Sequence, residues 1–415
     1  MSSERINSAM PLSKTIHRHR WFFIFFVVLI LFDIVLRHFV RQMPYWGDEV
    51  HFVGTIQYFG HNFSWQKLIY YNEMSGPLPF LLYAAWGHLI GFELNDLRLF
   101  SLVISAVTYL AFFAFVDGSL KNQKAAFACT LFLMFHPYMV GFSVLVFTDM
   151  LPILASILVL YAMRYNRPLL MFSAGVLGLL SRQYFVFFLF AVGLTYLLRI
   201  VSRYRSRDAV MAASIILSTL PLCILAYAWK GFSPKNELNN LYMDESFRFH
   251  PEYVTLYILL LSVYLLPLVV LNAKKIYGSL LPWLIAIPGS WWYWFFSVKP
   301  CPAAVNASFL TVGFFHKFIK FLVGPVAEQY IFQVLFTVSL PILVFVVKDL
   351  YHRVKVRTYD IIFAIHLSLI CFLLILPCSY FLWEKYFMPL VPLLTITWAS
   401  FYLTSGSKNI LPRID

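Results

Sequence analysis

Charged side chains are scarce in this sequence. They make up 12% of the 415 residues, whereas an ordinary soluble domain carries about 25%. Hydrophobic residues make up 61% of the chain, so a soluble protein of this composition could not cover its surface with polar groups. The shortage of charge excludes an ordinary soluble domain and predicts a protein that is surrounded mostly by lipid.

The sequence also lacks several short motifs that mark enzyme classes. It contains no Walker loop, no glycine-rich dinucleotide motif, no HExxH and no GxSxG. Its histidines form no metal-ligand cluster, and its five cysteines include no CxxC pair. A nucleotide-driven or zinc-dependent mechanism therefore has no support in the sequence. The cysteines are predicted to be small buried hydrophobes.

A linker between domains is absent as well. No Ser/Gly-rich or low-complexity tract interrupts residues 1–415, and apolar runs with the length of a membrane-spanning helix, about 17–22 residues, recur along the chain. We predict a single all-α domain, a polytopic transmembrane helical bundle of about 12 spans. The predicted spans are 21–40, 97–116, 125–142, 149–163, 168–181, 184–199, 209–228, 253–272, 279–297, 327–347, 360–378 and 387–404.

Basic residues outnumber acidic ones and give a formal net charge of +13. They lie in clusters between the apolar runs, and 20 of the 32 fall in the termini and the short loops. Such a bias is typical of cytoplasmic segments, so it predicts that both termini are cytoplasmic. It also predicts a lipid bilayer, and no nucleic acid, as the partner. The long loops, which carry the informative chemistry, then lie on the outer face.

The first outer loop, residues 41–96, is the longest. Its apolar stretch Pro77–Gly91 is short for a span, so we predict juxtamembrane helices here rather than another crossing. A second outer segment, residues 298–326, carries Lys317 and Lys320 on a different helical side from three phenylalanines. This pattern predicts an interfacial amphipathic helix whose lysines meet lipid phosphates.

Two adjacent carboxylates, Asp48 and Glu49, follow the first predicted span. A charge this close to hydrocarbon is costly, so it usually has a partner or a function. Successive side chains on a helix diverge by about 100°, whereas Asp48 and His51 would share a helix face. The alternative interpretation is that Gly47, Asp48 and Glu49 only begin a helix, with the acids in its first turn.

Four further polar residues stand in the first outer loop or at the predicted outer ends of spans: Glu73, Asp149, Arg182 and Lys385. The alternative interpretation is a solvated loop acid for Glu73 and an interfacial anchor for the other three. Together, however, they place carboxylates and cations on one face, although they come from distant parts of the chain. Such a set suits a reaction that has an anionic leaving group.

Short motifs surround these residues: Pro44-Tyr45 with Asp48-Glu49, Gly76-Pro77-Leu78-Pro79, Asp96-Leu97-Arg98, Thr148-Asp149, Arg182-Gln183 and Glu384-Lys385-Tyr386. Together they resemble the GT-C superfamily, the membrane glycosyltransferases that use polyprenyl-phosphate sugars. The nearest resemblance is to the dolichyl-phosphate-glucose alpha-1,2-glucosyltransferases, over residues 1–190 and the end of the chain. A late Asn-Arg-His-Tyr segment of that family is absent here.

The resemblance implies a GT-C-like bundle that moves a sugar from a polyprenyl-phosphate carrier to a glycan, lipid or protein, with inversion, at the periplasmic or lumenal face. Asp48 is then the catalytic base or a metal-linked carboxylate, and Glu49 is the alternate. Positioning of the acceptor or of a cation falls to Asp149, His51 and Glu73. Binding of the lipid phosphate falls to Arg182, Lys385, Lys317 and Lys320.

Several points stay open at the level of sequence. It does not decide whether a divalent cation takes part, and two glycosylation sequons do not separate a bacterial inner membrane from the endoplasmic reticulum. The compact chain favours the bacterial membrane. The alternative function is a membrane transporter or lipid flippase, which predicts charges within spans, broken helices near the midplane and internal repeats. Here the charges gather at one face, and no repeat is visible.

Overall fold

The computed structural model describes residues 12–236, 248–300, 302–306, 310–379 and 381–404. Every regular element in these ranges is a helix, which confirms the all-α prediction. The predicted cytoplasmic ends 1–11 and 405–415, and parts of the predicted outer loops after Trp229 and around residues 301–309, lie outside the described residues.

The helices have the following bounds in chain order. They are α1 (Leu12–Val40), α2 (Glu49–His61), α3 (Trp65–Tyr70), α4 (Leu78–Leu89), α5 (Leu94–Leu120), α6 (Gln123–Met134), α7 (Pro137–Val144), α8 (Met150–Tyr165), α9 (Pro168–Ser181), α10 (Val186–Ser202), α11 (Ser206–Trp229), α12 (Pro251–Tyr264), α13 (Leu266–Leu271), α14 (Ala273–Tyr277), α15 (Leu280–Gly289), α16 (Trp292–Phe295), α17 (Pro302–Asn306), α18 (Phe314–Lys355), α19 (Ile361–Ile375) and α20 (Leu390–Leu403). Short 3-10 turns lie at Gln183–Phe185, Leu376–Cys378 and Glu384–Phe387.

Six helices among the described residues are long and apolar enough to cross a membrane, and a seventh crossing results if the bent pair α6–α7 counts as one. The six are α1, α5, α10 with its preceding turn, α11, α18 and α19 with its following turn. Four more apolar helices, α8, α9, α12 and α20, have 14 to 16 residues, fewer than the ~20 that usually span a bilayer. The fold therefore supports an integral membrane protein, while the count of about 12 spans stays a prediction.

Two of the apolar segments are bent, one at Pro137 and one at Gly324. The predicted span 125–142 consists of α6 and α7, which meet at 73°, because Pro137 lacks a backbone N–H and its ring disrupts the preceding turn. Within α18, Gly324 has a φ of 77°, a conformation that glycine adopts without strain. This kink separates residues 314–323, which belong to the predicted outer amphipathic segment 298–326, from the long helix that follows.

The cysteines only partly follow the prediction that they are buried. Cys129 and Cys371 are buried, but Cys223 is exposed, and all described cysteines are free thiols. Cys223 lies on α11, one of the helices long enough to span the membrane, where a small apolar side chain can face lipid instead of the core. Cys301 lies outside the described residues.

Packing brings the first outer loop onto the bundle. Its helices α2 and α4 pack against each other, and α4 also contacts α5 and α9. Gly76, just before α4, lies so close to the backbone carbonyl of Leu180 that a Cβ atom would overlap it. Since only glycine permits this approach, the loop that precedes α4 is held against the end of α9.

Candidate active site

Asp48 and Lys385 form an ion pair between opposite ends of the chain. Lys385 Nζ donates to Asp48 Oδ2 at 2.7 Å, and it also lies 5.4 Å from the centre of the Phe147 ring. Gly47 precedes Asp48 with a φ of 58°, so glycine is favoured at the turn that leads into α2. The sequence placed Asp48 and Lys385 on one face, and their pairing brings the first outer loop to the start of α20.

The Asp48 carboxylate is ionised at neutral pH. The positive charge of Lys385 lowers its pKa most, burial opposes that effect, and the charges of Arg182 and His51 lower it further. The Asp48 side chain is 46% exposed, so a ligand can reach it. His51 is itself exposed on α2 and acts on Asp48 through its charge.

Arg182 and Asp149 form a second, buried ion pair. Arg182 Nη2 donates to Asp149 Oδ2 at 2.8 Å, and both side chains are almost fully buried. Asp149 precedes α8, and Arg182 follows α9. Because α8 and α9 pack as neighbours, the start of one helix and the end of the other bring the two side chains together.

Glu73 lies in a loop that two side-chain amides hold in place. Gln183 Nε2 donates to the carbonyl oxygen of Met74 at 2.9 Å. Asn236 Nδ2 donates to the carbonyl oxygens of Tyr71 and Glu73, both at 3.0 Å. The Glu73 side chain is only 7% exposed, so it points into the protein and not into solvent, contrary to the solvated-acid interpretation.

The Glu73 carboxyl group is neutral at pH 7, whereas the Asp48 carboxyl group is negatively charged. Burial raises its pKa to about 8, with a further upward contribution from the negative charge of Asp48, whereas Arg182 and Lys385 oppose the rise. Glu73 is therefore protonated at neutral pH. Its pKa responds to three of the other site residues, which places it electrostatically in one cluster with Asp48, Arg182 and Lys385.

Four oxygen atoms near this cluster are buried without a hydrogen-bond partner among the described residues: Glu73 Oε1, Ser75 Oγ, Thr148 Oγ1 and Asp149 Oδ1. They belong to two chain segments that the Glu73 loop and the Asp149–Arg182 pair bring to this end of the bundle. An unsatisfied buried polar atom costs about 1–3 kcal/mol. Water or the polar groups of a ligand would satisfy these four atoms.

Glu49 lies apart from this cluster, and its role as the alternate catalytic residue stays a prediction. Its side chain is 0% exposed and is bound by both Nε and Nη2 of Arg98, at 3.0 and 2.6 Å. The backbone N–H groups of Trp46 and Val146 also donate to it. All of its acceptor capacity is used to hold the loop, and none is left for a substrate.

Sequence reasoning gave Arg98 no role, although it is the partner that decides the position of Glu49. Arg98 is 3% exposed and also donates to the carbonyl oxygens of Val40, Met43 and Pro44. A single arginine in the first turn of an apolar span was the available signal, because a charge there requires partners.

Lys317 and Lys320 lie on the amphipathic segment at the start of α18. Lys320 Nζ donates to the carbonyl oxygen of Leu310 at 3.2 Å, and Lys317 is exposed. In the described part of the chain, no contact joins either lysine to Asp48, Asp149 or Arg182. Their role in binding lipid phosphate stays a prediction that is separate from the cluster.

Glu384, which precedes Lys385, is a further residue that the sequence did not single out for a role of its own. It is 0% exposed and accepts hydrogen bonds from the hydroxyl groups of Tyr138 and Tyr264. The backbone N–H groups of Phe315 and His316 donate to it at 2.9 and 2.7 Å. Glu384 thus fixes the lysine that follows it to the beginning of α18.

No group of three or more His, Cys, Asp or Glu side chains within the described ranges is placed to hold a metal ion, and we assign no metal ligand. Comparison of the chain with protein-family models, with curated proteins and with solved structures gives no match.

Proposed function

We propose that the protein is an integral membrane glycosyltransferase that moves a sugar from a polyprenyl-phosphate carrier to a glycan, lipid or protein acceptor, with inversion. One observation carries the proposal: Asp48, Glu73, Asp149, Arg182 and Lys385 form one cluster of carboxyl and cationic groups at one end of a membrane bundle. Transfer from a lipid phosphate needs a base for the acceptor hydroxyl and positive charge for the departing phosphate, and both are present.

The two cations receive the phosphate of the donor. Arg182 is suited to bidentate contact with phosphate oxygens, while Lys385 supplies a compact charge. When the phosphate binds Lys385, it takes the place of Asp48 in the ion pair. The Asp48 carboxylate can then accept a proton. The acceptor oxygen then attacks the anomeric carbon, the bond from that carbon to the phosphate oxygen breaks, and Asp48 takes the hydroxyl proton.

The buried oxygens of Glu73, Ser75, Thr148 and Asp149 bind hydroxyl groups of the sugar in this proposal. Asp149 also orients Arg182 through their ion pair. Protonated Glu73 adds a hydrogen-bond donor beside the phosphate without adding negative charge. A divalent cation beside Asp48 stays part of the proposal only as an addition to these groups, since no metal ligand is assigned.

The wider architecture belongs to the same proposal. We propose a GT-C-like bundle of about 12 spans in which the shorter helices complete the crossings. Both termini are cytoplasmic, and the cluster faces the periplasm or the lumen, in a bacterial inner membrane or the endoplasmic reticulum. The membrane requirement follows from the donor, whose hydrocarbon chain stays in the bilayer while its phosphate reaches the cluster.

The test supplies the purified full-length protein in lipid nanodiscs with labelled polyprenyl-phosphate hexoses and candidate acceptors. We expect transfer of label, and Lys385→Gln should raise the donor KM by about 10–100-fold because a charge-assisted contact to phosphate is lost. Lys299→Gln, an exposed lysine outside the cluster, is the matched control. Movement of a solute or lipid across the membrane without any transfer would favour the transporter or flippase instead.

The protonation of Glu73 predicts a loss of activity at high pH. Its folded-state pKa of about 8 lies above the ordinary value of 4.5, so the group is neutral below pH 8 and becomes negative above it. The new charge would then repel Asp48 and the donor phosphate. Transfer rates between pH 6 and 9.5 should fall above about pH 8 in the wild type and stay level there in Glu73→Gln. Identical profiles for the two proteins would contradict this role.

A further inference from the structure

A polar cavity of about 280 Å³ lies at the C-terminal end of α1. Charged residues from two parts of the chain line it: Arg37 and Arg41 at the end of α1, and Glu93, Asp96 and Arg98 at the start of α5. None of Asp48, Glu73, Asp149, Arg182 or Lys385 lines this cavity. It is therefore a separate feature from the proposed active site.

The charges that line this cavity are only partly used within the protein. Arg98 is bound by Glu49 and three backbone carbonyl groups. In the described part of the chain, neither Arg37 nor Arg41 forms an ion pair, and Glu93 and Asp96 have no basic partner. Arg37 and Arg41 thus border the same cavity as Glu93 and Asp96 without forming ion pairs with them. A ligand that carries both a positive and a negative group could bind between them.

The cavity also lies at the end of an apolar helix that is largely exposed on the surface of the protein. Only 17% of the apolar stretch of α1 between Arg20 and Val40 is buried within the protein, and Ile34, Val35 and Phe39 are exposed apolar side chains on it. Arg37 and Arg41 stand at the end of this lipid-facing helix. Hydrocarbon chains can lie along α1 while a headgroup enters the cavity beside its last turn.

We propose that this cavity binds a zwitterionic phospholipid headgroup with a primary ammonium group, such as that of phosphatidylethanolamine. The phosphate contacts Arg37 and Arg41, and the ammonium donates hydrogen bonds to Glu93 and Asp96. An anionic headgroup would leave both carboxylates without a cation and would be repelled by them. A quaternary ammonium headgroup has no N–H to donate.

Occupancy of this site would bear on the loop that carries Asp48. Arg41 begins that loop, and Asn95, another lining residue, donates to the Arg41 carbonyl oxygen at 3.3 Å. Arg98 holds the carbonyl oxygens of Met43 and Pro44 from the same side. A bound headgroup would therefore neutralise the charges next to the contacts that hold the loop. The proposal itself does not depend on the transferase reaction.

The experiment measures lipids that stay bound to the full-length protein. The protein is equilibrated in nanodiscs with equal amounts of phosphatidylethanolamine, phosphatidylglycerol and phosphatidylcholine, released, and analysed by native mass spectrometry. We expect phosphatidylethanolamine to be retained preferentially, and the double variant Arg37→Gln/Arg41→Gln to retain about tenfold less of it. The matched control is Arg203→Gln/Arg205→Gln, which removes two exposed arginines away from the cavity.

Glu93→Gln tests the ammonium half of the site at an exposed side chain whose change leaves the core untouched. We expect it to abolish the preference for phosphatidylethanolamine over phosphatidylglycerol, which also keeps the proposal testable if the double variant fails to fold. Equal lipid retention by the cavity and control double variants would overturn the site. A wild-type preference for phosphatidylglycerol, or a Glu93→Gln preference equal to that of the wild type, would overturn the zwitterionic assignment.

Discussion

Asp48→Asn is expected to lower the rate of sugar transfer by about 10²–10⁴-fold, the range that positioned proton transfer usually contributes. Asparagine keeps the size and much of the hydrogen bonding of the side chain but cannot take the proton of the acceptor hydroxyl. Lys385 would still reach the amide oxygen but would lose its ionic partner, so the donor phosphate should bind at least as tightly as in the wild type. The measurement is the initial rate with labelled polyprenyl-phosphate sugar at saturating donor.

The matched control is Asp117→Asn, which makes the same chemical change at a partly exposed carboxylate near the end of α5. Both variants should keep the wild-type melting temperature, since neither carboxylate is in the buried core. Unchanged transfer in Asp48→Asn would remove Asp48 from the role of base. A loss of equal size in Asp117→Asn would indicate a general effect on the protein.

Glu49→Gln should give the opposite result, a large loss of stability. It leaves Arg98, which is 3% exposed, as a buried charge without its carboxylate. Breaking such a pair by removing one partner costs about 3–5 kcal/mol, a large share of the stability of a typical domain. The yield of monodisperse protein and its melting temperature in detergent should both fall sharply.

The double variant Glu49→Gln/Arg98→Met separates this explanation from a catalytic one. Because it removes both charges, it should be more stable than Glu49→Gln alone. If Glu49→Gln instead kept the wild-type melting temperature but lost transfer activity, Glu49 would be a site residue after all. Substitution of the two neighbouring acids should therefore have different effects: loss of activity at Asp48 and loss of stability at Glu49.

The positions of several helices could be predicted, because the length of a hydrophobic run indicates where an apolar helix begins and ends. The first predicted span, 21–40, ends at the residue where α1 ends, and 168–181 coincides with α9. The break at Pro137 does not interrupt the apolar run 125–142, so run length alone does not locate it. The number of membrane crossings could not be predicted. A helix of 14 residues can cross the membrane if the residues next to it complete the span, or it can lie inside the bundle.

Part of the candidate site could be predicted, because the predicted topology puts several polar residues on the same face of the membrane. Asp149 with Arg182, and Asp48 with Lys385, were expected on one face, and each is an ion pair. The position of Glu49 was not predictable, since it depends on Arg98, which is 49 positions away. The charge state of Glu73 depends on burial, and a loop sequence rich in polar residues gives no measure of burial.

The ion pair between Asp48 and Lys385 has a consequence for ligand selection. With no ligand bound, the site neutralises its own charges, so an incoming molecule competes with an internal partner. A sugar without a phosphate would have to separate lysine from aspartate and offer no anion in exchange. A lipid-linked phosphate replaces the aspartate with an anion of its own. Under the proposed function, the resting contact would therefore select a sugar that is linked to a phosphate over the free sugar.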